Sequence, residues 1–288
     1  MPNGVLIIDK PQGWTSMDVC AKLRGILREK RVGHGGTLDP MATGLLPVFV
    51  GRATRGVQYA TDGKKEYVAT LRLGLVTDTQ DVTGEILEEH PVAVTRADIE
   101  GVLPQFRGDI EQIPPMYSAI KIDGKKLYDL ARKGREVERQ PRPITIYELE
   151  LGEQLTDTDW VLRVVCSKGT YVRTICHDIG AALGCGAAMA ALRRTKVAGF
   201  TLEQAVTLEE VQACADPASL LAPVDGCFAD LPALTLTAPQ AKCVRNGLAF
   251  TYKGDEGEYR VYGPEGEFLA LCRVAEGKLS VVKSFFEV

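Results

Sequence analysis

The chain has 288 residues, 45% of them hydrophobic and 25% charged, a globular balance long enough for one large core or a main domain with a small companion. No window approaches 18 uninterrupted apolar residues, which excludes a transmembrane helix, and the start MPNGVLIIDKPQGW has neither the basic lead nor the apolar run of an export signal. The net charge of −4, from 34 basic and 38 acidic residues, argues taken alone against a nucleic-acid partner.

GVLIID (4–9) reads as a short, continuously apolar strand, closed by the KPQGW turn. Thr15-Ser16-Met17-Asp18 is a capping box, and Val19, Leu23, Ile26 and Leu27 form the stripe of the helix it starts. The Gly-rich GHGGTLDPMATG (33–44) runs on into LLPVFVG. In EYVATLRLG (66–74), Tyr67, Ala69, Leu71 and Leu73 share one face of a strand. Thr95 to Phe106 is a second capped amphipathic helix. Trp160 to Cys166 is another strand, which turns through Ser167-Lys168-Gly169 into a helix. That helix has Thr170 as its cap, Ile175, Ile179 and Leu183 inward, and Gly184 as its stop. From about residue 232 the texture changes to short strands with Gly-bearing turns: EYRVYG, EFLALCRV and KLSVVKSF. The order is neither alternating βαβ nor all-β, which predicts an α+β fold with a mixed, mainly antiparallel sheet and a small β-rich C-terminal module.

Eight scattered cysteines without a CxxC pair read as reduced thiols in a cytoplasmic protein. With only three histidines, they predict no metal site. The charge is unevenly spread. Residues 1–60 and 121–143 each carry eight basic against four acidic side chains, so the rest of the chain is strongly acidic. This is either one basic face for phosphates or a chance clustering on solvated faces. In GHGGTLDPMATG the glycines permit tight turns, and Pro40 pushes Asp39 into an extended conformation. Asp39 is thereby presented rather than packed. The segment is neither a P-loop nor a dinucleotide fingerprint, and on composition alone Asp39 caps a turn as readily as it reacts.

GHGGTLDPMATGLLPV closely resembles the signature of the TruB family, the bacterial tRNA pseudouridine-55 synthases. The resemblance continues, in order, through GVLIIDKPQGWTS (4–16), KEYVATLRLGLVTDTQDVTG (65–84), QIPPMYSAIKIDGKKLYDLARKG (112–134), CSKGTYVRTICHDIG (166–180) and GCGAAMAALRRTKVAGF (184–200). It implies the pseudouridine synthase catalytic fold and the conversion of uridine 55 in the tRNA T-loop to pseudouridine, with no cofactor. By the resemblance Asp39 is the catalytic carboxylate, with three open roles: adding to uracil C6, capturing ribose C1′, or assisting loss of a ribose proton.

Arg173 falls in the first turn of its helix, where the macrodipole disfavours a cation; a buried carboxylate facing it would explain that charge better than a solvated side chain. The resemblance pairs it with the catalytic Asp. Tyr67 heads an apolar row and reads as a core aromatic; the resemblance places it against the target base. It also places Tyr171 and Leu192 along the uracil pocket, and Lys10 behind the catalytic loop. His34 is assigned to filling the vacancy left by the extruded uridine, with a general base as the lesser alternative.

The basic, proline-bearing stretch 112–142, with Lys125 and Lys126, suggests a protruding arm over the RNA backbone. The resulting organisation is a catalytic domain at 1–231 with that insertion, and a PUA-like RNA-binding domain at 232–288. The expected partner is the tRNA T-stem-loop, bound by a monomer without guide RNA or membrane. The rivals are a guide-dependent H/ACA-type synthase and a non-catalytic RNA-binding module.

Overall fold

Every residue of the first strand, Gly4–Lys10, is buried or nearly so, and its apolar side chains serve two cores. Leu6 and Ile8 pack with Val19, Cys20, Leu23 and Leu27 of helix Ser16–Leu27. Val5 and Ile7 pack with Phe49, Phe200, Phe228 and Phe285. A strand covered on both faces reads as an unbroken apolar run rather than an alternation, which accounts for GVLIID. Each fully buried Leu, Ile or Phe contributes about 1.5–3 kcal/mol. The computed structural model describes residues 2–122 and 124–286. Asp123, within the basic stretch, and Met1, Glu287 and Val288 at the chain ends lie outside the described residues.

The chain divides into two units. The first comprises Met1–Pro40, Gly44–Gly63 and Lys196–Val288. In it Gly4–Lys10 runs antiparallel to Thr43–Val50, in register from Gly4↔Val50 to Lys10↔Gly44, and Val32–His34 pairs with the same strand. Helix Ser16–Leu27 begins with the expected box: the Thr15 hydroxyl accepts from the Asp18 backbone, and Asp18 accepts from the Thr15 backbone.

The C-terminal part of this unit is a five-stranded sheet in the order Ala233–Thr235, Gly257–Tyr262, Phe268–Ala275, Lys278–Ser284, Phe250–Thr251. Its first pair is parallel and the rest antiparallel. One face is closed by helix Ala238–Arg245, whose Ala241 and Val244 pack with Val261, Leu269, Val274 and Leu279. The reading of this region as strands alone missed that helix. The Thr237–Gln240 capping box and Pro239 in its first turn mark its start.

The second unit comprises Met41–Thr43 and Lys64–Thr195. Its sheet has the order Ala187–Val197, Lys65–Leu73, Asp159–Cys166, Arg142–Gln154, Gly108–Gln112. Lys65–Leu73 is antiparallel to Asp159–Cys166, so Tyr67, Ala69 and Leu71 lie opposite Val164, Leu162 and Trp160 on one buried face. On the other face Arg163 bridges Glu66, Glu148 and Glu150.

Two expected helices differ from their sequence reading. The one capped by Thr95 is α-helical only over Arg96–Val102 and tightens into a 3₁₀ turn, Leu103–Phe106. Pro104 has no N–H to continue the ladder. Helix Val172–Leu183 is capped by Tyr171, not Thr170, and without a side-chain bond; the Thr170 hydroxyl donates instead to Ser167 O (3.1 Å). Gly184, at φ +74°, ends it as expected.

In the basic stretch, Lys121–Ile122 and Lys125–Lys126 form a short hairpin followed by helix Leu127–Ala131. Pro114, Pro115, Met116 and Leu127 are buried, while Lys121, Lys125, Arg132, Lys133, Arg135 and Arg142 are exposed. No helix among the described residues is long and apolar enough to cross a membrane.

Candidate active site

A buried ammonium needs a partner for each of its three N–H groups. Lys10, with no exposed surface, finds them in three carbonyls: Pro11 O (2.9 Å), Trp14 O (2.7 Å) and Pro40 O (3.4 Å). The Gly13 N–H, held at a positive φ of 84°, also donates to Pro40 O (2.7 Å). The Ser16 hydroxyl donates to Leu38 O (3.2 Å) and accepts from Leu38 N (2.9 Å). The residues on either side of Asp39 are therefore both tied to the KPQGWTS turn, and Asp39 stands half-buried between them. The sequence reading placed Lys10 behind this loop. It did not anticipate Ser16, whose visible role was to open a helix.

His34 ends strand Val32–His34 opposite Val48 and is half-buried. The next residue, Gly35, donates its N–H to Pro47 O (2.8 Å). A Cβ there would lie 2.9 Å from both Ala60 Cβ and Phe49 Cε2, so only glycine fits. Lys10, His34 and Asp39 all belong to the first unit.

Tyr67, Tyr171, Arg173, Leu192, Lys125 and Lys126 belong to the second. Arg173 is 6% exposed. Its Nη1 donates to Thr79 O (3.1 Å) and Asp81 Oδ2 (3.4 Å), and its Nη2 to Tyr117 O (2.8 Å). Asp81 is thus a buried carboxylate facing the arginine from within its own unit, and sequence reasoning missed it. Its Oδ1 accepts from the Thr79 hydroxyl (2.9 Å), the Thr83 N–H (3.0 Å) and the Thr83 hydroxyl (2.5 Å). The preceding Gln80 takes a positive φ of 62°, a conformation that costs a non-glycine residue energy and is held here by surrounding bonds. One of them is the Thr174 hydroxyl to Gln80 Oε1 (2.7 Å).

Gln112 also escaped the sequence reading. Only 3% exposed, it grips the Tyr171 backbone from both sides, accepting from Tyr171 N (2.8 Å) and donating to Tyr171 O (3.1 Å). Tyr67 and Leu192 are 7% and 9% exposed, each on its strand, while the Tyr171 ring is half-buried. In the basic stretch Lys125 is exposed. The Lys126 ammonium donates to the Tyr128 hydroxyl (2.8 Å), which raises its pKa.

Thiols offer no rival nucleophile among the most deeply set cysteines. Burial pushes Cys176 up to about 12 and Cys166 to about 11, so both stay protonated at neutral pH. Among the described residues no group of three or more His, Cys, Asp and Glu could hold a metal ion.

Residues 24–172 match the family model of the TruB family pseudouridylate synthase N-terminal domain, and residues 173–228 that of the tRNA pseudouridylate synthase B C-terminal domain. The tRNA pseudouridine synthase B of Azoarcus sp. (strain BH72) is 46% identical over 286 residues, covering 96% of this chain and 93% of that protein. That of Pseudomonas fluorescens (strain Pf0-1) is 46% identical over 282 residues, covering 95% and 92%. Among solved structures, a Cbf5–Nop10–Gar1 complex superposes with a TM-score of 0.76 at 29% identity, covering 99% of this chain and 85% of that one. An H/ACA RNP bound to a substrate RNA containing 2′-deoxyuridine gives 0.76 at 26%, covering 99% and 86%.

Proposed function

The chain belongs to the TruB family of pseudouridylate synthases, and on that premise we propose that it isomerises uridine 55 of the tRNA T-loop, with Asp39 as the catalytic carboxylate. One observation carries this reading: Lys10, Gly13 and Ser16 fix Leu38 and Pro40, so a single carboxylate is presented on an immobilised loop.

The reaction breaks the bond between uracil N1 and ribose C1′. The base leaves with the electron pair as a stabilised anion, turns, and rejoins C1′ through C5, and the C5 proton ends on N1. Nothing is oxidised or reduced, so the exchange needs no cofactor. Asp39 adds to C6, captures C1′, or assists loss of a ribose proton. In this reading Arg173 has the family's role of cationic partner to the catalytic carboxylate, and Asp81 with Thr79 aims its guanidinium. Tyr67 stacks on the base, Tyr171 and Leu192 line its pocket, and His34 fills the stack the uridine vacates.

Residues 1–231 form the catalytic domain in this reading. The 112–142 stretch clamps the RNA with Lys125 and Lys126, and residues 232–288 act as a PUA-like RNA-binding domain. The protein works as a cytoplasmic monomer.

The likeness to the H/ACA-type structures favours a second reading, a synthase that depends on a guide RNA. One experiment tests both: a T-arm hairpin incubated with the protein alone, its pseudouridine detected by carbodiimide-blocked reverse transcription. Conversion without guide RNA is expected. Asp39→Asn should abolish it while leaving RNA affinity within a few-fold, because phosphate contacts supply most of the binding. Retention of more than about 1% of the rate would remove Asp39 from its role.

A further inference from the structure

Trp14 and Met17 lie three residues apart across the start of helix Ser16–Leu27, 37% and 52% exposed. The residues around them are spent locally. Thr15 and Asp18 close the capping box, and Ser16 is buried and bonded to Leu38. A residue just before an N-cap ordinarily packs onto the fourth helical residue, here the fully buried Val19. More than a third of Trp14 nevertheless remains in water.

The mounting of this indole is unusual. The Trp14 carbonyl is bonded to the Lys10 ammonium that also reaches Pro40 O, and the Gly13 N–H joins the same Pro40 oxygen. The Trp14 backbone and the backbone beside Asp39 are therefore held by one buried nitrogen. The result is a partly solvent-exposed indole whose backbone is tied to the loop of the reactive carboxylate.

We propose that Trp14, with the exposed Met17 three residues on, is a stacking platform for the nucleobase next to the target uridine in the substrate RNA. This rests on the T-loop reading above. Drawing a uridine out of its stack strips a stacking partner from the adjacent base as well, and a flat indole near the reacting centre restores it. Every base has a π-face, so the platform adds affinity without reading sequence. The Lys10 bonds already fix its backbone, which leaves the two side-chain torsions to be ordered by the contact.

The chain has two tryptophans, and the second, Trp160, is only 4% exposed. Both indoles emit, so the difference between the wild type and Trp14→Phe isolates Trp14 when a T-arm hairpin is added to the full-length protein. Quenching on binding should be clearly larger in the wild type than in Trp14→Phe. Trp14→Ala should weaken hairpin binding roughly five- to a hundredfold, and Trp14→Phe much less, since a phenyl ring still stacks. An abasic nucleotide beside the target should reproduce the loss, after which Trp14→Ala costs nothing more.

Quenching undiminished in Trp14→Phe overturns the platform. So does a Trp14→Ala penalty that adds in full to every abasic substitution, or a lowered Tm with affinity unchanged, which would make Trp14 a helix staple only. A hairpin that is neither bound nor converted overturns the proposed function and this inference together. A hairpin bound and converted with Trp14 emission unchanged overturns the platform alone.

Discussion

The loop that carries Asp39 and the basic stretch at 112–142 are built on opposite plans. Around Asp39 a buried lysine, a buried serine and a left-handed glycine hold the backbone on both sides of one side chain. In the basic stretch, Gln112, Pro114, Pro115, Met116, Ser118 and Leu127 are the buried anchors, and most Lys and Arg side chains between and beyond them stand in solvent. The Tyr117 hydroxyl adds one bond, to Asp78 Oδ2 (3.0 Å). Chemistry demands placement to a fraction of an ångström, whereas phosphate attraction acts over the Debye length and tolerates mobile partners. Rigidity is concentrated where a reacting atom must be placed.

Removing the rigidity should have the largest effect. Lys10→Met takes the ammonium from Pro11 O and Trp14 O, leaves Pro40 O with the Gly13 N–H alone, and should cost about 3 kcal/mol of stability. In the fraction still folded it should slow turnover about a hundredfold, since a small misplacement of a reacting group costs that much. A denaturant titration and single-turnover kinetics at saturating enzyme check the two parts. An unchanged rate would mean that the loop holds its own shape.

Asp81→Asn should come next, with turnover falling roughly ten- to a hundredfold and hairpin affinity within a few-fold. Arg173 would keep its bonds to Thr79 O and Tyr117 O but lose its ion pair with Asp81. A lowered Tm with a normal single-turnover rate in the folded fraction would assign Asp81 to folding rather than to aiming the arginine.

His34→Ala should lower the rate less on a hairpin whose target base is already unstacked than on intact tRNA. The same loss on both would mark a general base. The smallest effect belongs to the basic stretch. Lys125→Ala should flatten the log–log salt dependence of binding by about one unit. Lys126→Ala should do so by less, because its ammonium is already engaged by Tyr128. Equal slopes in the two variants would erase that distinction.

What the sequence revealed was what neighbours in the chain decide together. The Thr15–Asp18 box, the alternation from Tyr67 to Leu73 and the Gly184 stop are each settled within a few residues, and each appears as expected. Asp81 and Gln112 were illegible because their importance comes from partners far along the chain, Arg173 and Tyr171. In TDTQDVTG, moreover, an aspartate among threonines looks like any polar turn. Helix Ala238–Arg245 hid for a different reason: only Ala241 and Val244 are buried, too few to set a period against the surrounding strands. The burial of Arg173 was anticipated, but its local cap was displaced by one residue to Tyr171.

Leu271 and Phe285 share a core with Val5 and Ile7, and the Arg52 guanidinium donates to Phe286 O (2.9 Å). The core over one face of strand Gly4–Lys10 is therefore completed only when residues as distant as Phe285 have been made. At about 5–20 residues per second that interval lasts roughly 15–60 s. Lys64–Thr195, an unbroken run within the other unit, is complete long before then. The nascent chain should mature from its middle outward, with an apolar N-terminal strand exposed meanwhile to holding chaperones. Truncating Phe285 to Ala would accordingly weaken the packing of Val5 and Ile7, far from it in sequence.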